Sequence, residues 1–276
     1  MSRRFITFSC EGNQLAGTLD TAPSSTGLLL VSGGNELRAG PWNSQAQIAE
    51  RVAAAGFPVL RFDRRGIGDS EGPNGGFENS APDIATAIAA LRAHVPTLKR
   101  VVAFGNCDAA SALMLAGGAG CDALVLANPW TFEPEPAPAE TVEDSTEAPP
   151  PEPAPMPPAV LRAHYLRRLT DPRAVWRLLT GKVNVGKLAG SLADAAKPAA
   201  PPSSLTGRMA EMLGQFAGPA AILLAERDRT AQVFRTNWDK HDARIRACPG
   251  ASHSFVEAPA RLWLQGQILA ALRQFD

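Results

Sequence analysis

Apolar residues in this chain gather in short runs separated by segments of helical period. Residues 27–31, 58–62, 100–104, 123–127 and 220–225 are dominated by Val, Leu, Ile, Phe and Ala. Runs of that length, closed by glycine, asparagine or charged residues, predict strands covered on both faces. Helix-period segments at 44–55, 82–94, 110–116 and 260–273 fall between or after them, and 243–248 is a sixth candidate of the same kind. Ahead of these, 4–9 and 14–18 flank Glu11-Gly12-Asn13, a turn composition that suits a hairpin. Strands alternating with helices call for a mostly parallel α/β sheet with helices on both faces.

The alternation breaks between the fourth and fifth runs. Residues 133–158 hold ten prolines and seven acidic residues with no lysine or arginine. Missing backbone donors and like-charge repulsion argue against a packed core there, so the segment is expected to be a mobile loop. Residues 159–179 turn helical, with Leu161, Tyr165, Leu169, Val175, Trp176 and Leu179 able to face one side and five arginines on the others. Two readings stay open for this stretch: a solvated helix face, or a lid whose arginines meet an anionic substrate or carrier. The tract 194–204, rich in Ala and Pro, reads as a linker back to the core. The expected division is a core over 1–130, a lid insertion over 131–215 and the remainder of the core over 216–276.

At 276 residues with 45% apolar composition the chain can bury a sizeable core, and its 27 basic and 27 acidic residues cancel. No net basic field favours a nucleic-acid or anionic-membrane partner. No window approaches the roughly 18–20 apolar residues of a spanning helix. Cys10, Cys107, Cys121 and Cys248 are widely spaced, with neither a zinc-type pair nor a dense disulfide pattern. A reducing, cytoplasmic setting is therefore expected, with no metal and no cofactor.

The candidate chemistry centres on residues 101–114, VVAFGNCDAASALM. A buried strand, then Gly105-x-Cys107-x-Ala109, then a helix is the arrangement of a nucleophile elbow with cysteine in the nucleophile position. Small neighbours two residues before and after are needed because the turn is sharp and strained. A thiol with an ordinary pKa of about 8.5 is largely protonated at neutral pH and needs a base. Of the four histidines, His94 ends a helix, His241 lies in a charged run and His164 lies in the insertion. His253, in the flexible Gly250-Ala251-Ser252-His253-Ser254-Phe255, follows the last candidate strand, where such a base belongs.

Asp228 follows the run AAILLA by two residues, giving the chain order nucleophile, acid, histidine; Glu226 is its competitor. For an oxyanion the expected donors are the N–H groups of Asp108, at the start of the helix, and Gly34, or else Asn35, in Ser32-Gly33-Gly34-Asn35. The Asp108 carboxylate would oppose a thiolate unless it points away or pairs with a cation such as Arg38. Asn35, Trp130 and His164 are expected substrate contacts. Residues 63–70, DRRGIGDS, are expected to lock neighbouring loops through Asp63 and Arg64.

The stretches GGNELRAGPWNSQ, FPVLRFDRRGIGDSEG, FGNCDAASAL, LVLANPW, LRAHYLRRLTDP, LLTGKVNVG, ERDRTAQVF and GASHSF resemble the α/β-hydrolases, and more narrowly the exosortase A system-associated hydrolase 1 family. The resemblance implies an α/β-hydrolase fold with a helical lid and a cysteine hydrolase or acyltransferase tied to bacterial exopolysaccharide metabolism. The substrate expected is a small or carrier-linked ester or thioester. A catalytically silent binding protein on the same fold is the rival.

Overall fold

The computed structural model describes residues 2–132 and 204–276. The expected acidic loop, the helical stretch 159–179 and His164 lie outside the described residues, as does most of the expected insertion.

Eight strands form one sheet: β1 (Arg3–Cys10), β2 (Asn13–Asp20), β3 (Thr26–Val31), β4 (Val59–Phe62), β5 (Arg100–Asn106), β6 (Ala123–Ala127), β7 (Ala220–Ala225) and β8 (Ile245–Cys248). Their spatial order is β1-β2-β4-β3-β5-β6-β7-β8. The β1–β2 hairpin is antiparallel, and β2 runs antiparallel to β4. From β4 to β8 every neighbouring pair is parallel. The expected strand runs all appear in this sheet.

Continuous apolar runs are explained by the two cores. In β3, Leu29 and Val31 face one cluster while Leu28 and Leu30 face the other, and all four are fully buried. Helices α1 (Ser44–Ala54) and α6 (Ala258–Arg273) cover the face of Leu28. Helices α2 (Ala81–His94), α3 (Asp108–Leu115), α4 (Ser204–Gln215) and α5 (Arg229–Asn237) cover the opposite face. With both faces buried there is no side for a polar alternation.

Two helices depart from the expected pattern. Helix α4 lies where a linker and the end of the insertion were expected, yet Leu205, Met209 and Leu213, spaced four apart, are buried in the core beside α3. Helix α5 has a largely polar sequence, RTAQVFRTN, and is started by Asp228, whose carboxylate accepts from the N–H groups of Thr230 (3.3 Å) and Ala231 (3.0 Å). That cap satisfies two of the donors every helix leaves free at its first turn.

Met209 is completely buried, so Met209→Ala should lower the unfolding free energy by about 2–5 kcal/mol. Urea denaturation followed by circular dichroism measures it; a loss below about 0.5 kcal/mol would mean that α4 is not part of the core.

Candidate active site

The centre of the site is the turn from β5 into α3. Cys107 has φ 62° and ψ −128°, a conformation that L-residues with a side chain rarely hold. Four backbone hydrogen bonds keep it there. Its N–H donates to the Ala127 carbonyl (3.0 Å), and its own carbonyl accepts from Ala110 (3.1 Å), Ser111 (3.3 Å) and Trp130 (3.3 Å). The glycines around it are required by space. A Cβ on Gly105 would lie 2.6 Å from the Ala109 carbonyl carbon, and one on Gly33 would lie 2.7 Å from both the Asn106 carbonyl oxygen and an Asp108 carboxylate oxygen.

His253 lies in the loop between β8 and α6. Its Nδ1 is 3.0 Å from Asp228 Oδ1, and its carbonyl accepts from the side-chain amides of Asn106 (3.3 Å) and Asn128 (3.0 Å). Asn128 Oδ1 in turn accepts from the Ala225 N–H at 2.8 Å, so the ends of β5, β6 and β7 together fix the histidine loop. Asp228 is buried, and its position as the cap of α5 orients its carboxylate toward His253. Glu226 is exposed, and its backbone bonds run to Cys248 and Gln232 rather than toward the histidine.

The electrostatics favour a charged imidazole. Burial works against its cationic form, but hydrogen bonds to Asp228 and Cys107, and the negative charges there, outweigh it and raise His253 to about 10. The sequence reading has this ring as the base that takes the thiol proton, and a raised basicity agrees with that role. The other thiols lie in unreactive settings. Burial, with Asp122 adding to it, pushes Cys121 up to about 12, and burial raises Cys10 and Cys248 as well.

The oxyanion loop differs from expectation in two respects. The Gly34 N–H is not open: it donates to Asp108 Oδ1 at 2.5 Å. The Asp108 N–H, first in α3, has no helical carbonyl behind it and is the available donor beside the sulfur. Asp108 does pair with a cation, as the sequence reading requires, but with Arg64 in place of Arg38. Arg38 is bound to Asp63 and Asp69, while Asp108 Oδ2 lies 3.4 Å from Arg64 Nη2, which also donates to the Gly34 carbonyl at 2.5 Å. Arg64 is buried and donates through Nη1 to Ser80 at 2.9 Å. The residues at 63–70 thus tie the oxyanion loop to the elbow through Arg64, and Asp63 ties it to Arg38.

A cavity of about 130 Å³ opens over the sulfur, with Gly33, Gly34, Glu36, Cys107, His253 and Phe255 among its walls. Glu36, which the sequence reading passed over, faces this space, and its carboxyl is raised by burial, with His253 opposing the rise and Asp108 adding to it. Asn35 and Trp130 are not among the cavity walls. Asn35 accepts from Asn74 Nδ2 (2.8 Å), while Trp130 packs against Phe132 at a ring distance of 4.5 Å and donates to its carbonyl. Among the described residues no group of His, Cys, Asp and Glu is arranged to hold a metal. No helix among them is long and apolar enough to cross a membrane.

Comparison with known proteins agrees with this architecture. A model of the alpha/beta hydrolase family matches residues 28–263, and the chain belongs to that family. Its structure is similar to the Pyrococcus furiosus esterase Pf2001, with a TM-score of 0.61 at 12% identity, covering 99% of this chain and 91% of that one. Est1E from Butyrivibrio proteoclasticus, solved with ferulic acid bound, gives 0.58 at 13% identity, covering 97% and 99%. XC6422 from Xanthomonas campestris, described as an α/β serine hydrolase without a lid, gives 0.56 at 14%, covering 100% and 95%. No curated protein sequence matches the chain. At these identities the neighbours establish the fold.

The charge state of His253 can be read directly. In a ¹H–¹⁵N NMR titration its ring should keep its proton through pH 7 and release it as pH rises toward about 10. Asp228→Asn should bring the midpoint down by about a unit or more. A wild-type midpoint at the ordinary 6.5 would contradict the pairing.

Proposed function

We propose that the protein is a cysteine hydrolase that cleaves esters or thioesters through an acyl-enzyme on Cys107. The observation that carries this reading is the Asp228–His253 pair, 3.0 Å apart, sharing one cavity with Cys107 at a strained strand-to-helix turn. Nucleophile, base and orienting carboxylate in that order are the parts acyl transfer requires. Structural neighbours named as esterases and serine hydrolases support hydrolysis of an ester bond.

In the proposed reaction His253 takes the thiol proton of Cys107 as the sulfur attacks the carbonyl carbon. A C–S bond forms while the carbonyl π electrons move to oxygen, and the Asp108 N–H holds that oxyanion. Gly34 joins as a second donor by exchanging its bond to the Asp108 carboxylate for the oxyanion. Collapse breaks the bond to the leaving oxygen or sulfur, which takes the proton from His253 Nε2. The neutral imidazole then takes a proton from water as the water oxygen attacks the thioester. Expulsion of sulfur releases the acid, and the sulfur recovers its proton from His253. Sulfur leaves as readily as it attacks, so activated esters, lactones and thioesters suit the site better than unstrained amides.

The resemblance to the exosortase-associated hydrolases further suggests a substrate in bacterial exopolysaccharide or envelope metabolism, and four free cysteines fit a cytoplasmic setting. Substrate contacts by Asn35, Trp130 and His164 stay part of the proposal only for a conformation with substrate bound. An acyltransferase that passes the acyl group to a polysaccharide or carrier hydroxyl would use the same residues and differ in product.

With p-nitrophenyl acetate, Cys107→Ala should remove turnover and Asp228→Asn should lower kcat/KM by about 10²–10⁴-fold. Iodoacetamide should alkylate Cys107 before the three buried cysteines. Equal turnover by the wild type and Cys107→Ala would reject the assignment, and a silent binding protein would then be the better reading.

A further inference from the structure

A larger cavity, of about 400 Å³, adjoins the one over the sulfur. Ser44, Ile48, Phe255 and Leu264 line both. The smaller space has room for little more than the reacting group, and the larger lies within the size range of small-molecule sites. Its walls come from α1, α6 and the loop that carries His253, and its inner side is the apolar surface of Ile48, Phe255 and Leu264. Its far walls include Trp42, Arg51 and Arg261.

Three features of that far end are unexplained by the fold. Trp42 is 87% exposed and holds a left-handed backbone, φ 55° and ψ 28°, so an aromatic side chain is kept in solvent at a strained position. Arg261 stands in the first turn of α6, where the helix dipole disfavours a cation. Among the described residues neither Arg51 nor Arg261 has an ion-pair or hydrogen-bond partner for its guanidinium. Arg38, Arg64, Arg65 and Arg244 are paired with carboxylates, while Arg4, Arg229, Arg235 and Arg273 are, like these two, without such a pair among the described residues, but none of those four lines this cavity.

We infer that the two cavities form one binding cleft for an ester or thioester with an apolar segment ending in an anion, a carboxylate or phosphate, held by Arg51 and Arg261. This rests on the acyl-transfer reading above and specifies its substrate class. The carbonyl sits over Cys107, the apolar segment runs along Ile48, Phe255 and Leu264, and Trp42 covers its outer part. A guanidinium binds carboxylate and phosphate oxygens through paired N–H donors, and two of them at the end of an apolar channel select for charge at a set distance from the reacting carbonyl. The anion can belong to the acyl group or to the leaving group, and the two are separable by experiment.

Four substrates test this. In the acyl arm, the mono-p-nitrophenyl ester of suberic acid is compared with p-nitrophenyl octanoate. In the leaving-group arm, 8-(acetylthio)octanoic acid is compared with S-octyl thioacetate, with the released thiol measured by disulfide reagent. In one arm the anionic member should have a kcat/KM higher by about tenfold or more, the effect of one charge-assisted hydrogen bond. The Arg51→Gln/Arg261→Gln double variant should bring that ratio close to one; Arg261→Gln alone, at an exposed position, should reduce it if the double variant does not fold. No anionic preference in either arm, or a ratio unchanged in these variants, overturns the inference. If no substrate shows turnover that depends on Cys107, the acyl-transfer reading fails by itself. The cleft is then judged by calorimetry on Cys107→Ala: octylphosphonate should bind about tenfold or more tightly than 1-octanol, and equal affinities reject it.

Discussion

The proposed chemistry depends on a backbone conformation that costs energy at one residue. Cys107 sits at positive φ because the sheet and α3 leave it no other course: its carbonyl serves three donors and its N–H is bound to β6. Such strain, of order 1–3 kcal/mol, persists only when the surroundings over-determine it. Here they do so through close packing, since Gly105 and Gly33 allow the strand and loop to approach α3 more closely than a side chain would permit. The result is a thiol raised above the carboxyl ends of the strands, beside the unpaired N–H of Asp108.

The second constraint is charge. Two acidic side chains bear on the site: Glu36 shares the cavity wall with Cys107 and His253, and the Asp108 carboxylate is bound to the Gly34 N–H and Arg64. Arg64 pairs with Asp108, and His253, held by Asp228, faces Glu36 and in the proposed reaction supplies the leaving-group proton. The histidine can do so because its loop is fixed from three strands through Asn106 and Asn128. Arg64 has a double part, since the same guanidinium that pairs with Asp108 also holds the Gly34 carbonyl and so sets the oxyanion loop against the elbow. Cys107, His253 and the loop of Gly33 and Gly34 are therefore one mechanically connected unit.

Much of this was legible in the amino-acid sequence. Strands buried on both faces leave continuous apolar runs, and the positions of Cys107, Asp228 and His253 at the ends of such runs could be read because topology dictates where strand ends meet. What escaped were contacts between side chains on different loops. Arg38 and Arg64 are equally plausible partners for Asp108 in one dimension, and only the geometry of residues 63–70 chooses Arg64. Glu36 lies in the stretch GGNELRAGPWNSQ, but nothing in one dimension turns it toward the cavity, and α5 is too polar to announce itself without knowing that Asp228 caps it. The α4 helix was different: Leu205, Met209 and Leu213 at intervals of four were a readable signal, obscured by the Ala- and Pro-rich tract before them.

The central claim is that the reacting acyl group passes through the Cys107 sulfur. Rapid quenching of the protein with p-nitrophenyl acetate at low pH, followed by peptide mass mapping, tests it most directly. The account requires acetyl on the peptide that carries Cys107, formed within the first turnover and discharged in the next. Turnover with no acetyl on Cys107, or with acetyl resting on a serine, would contradict it.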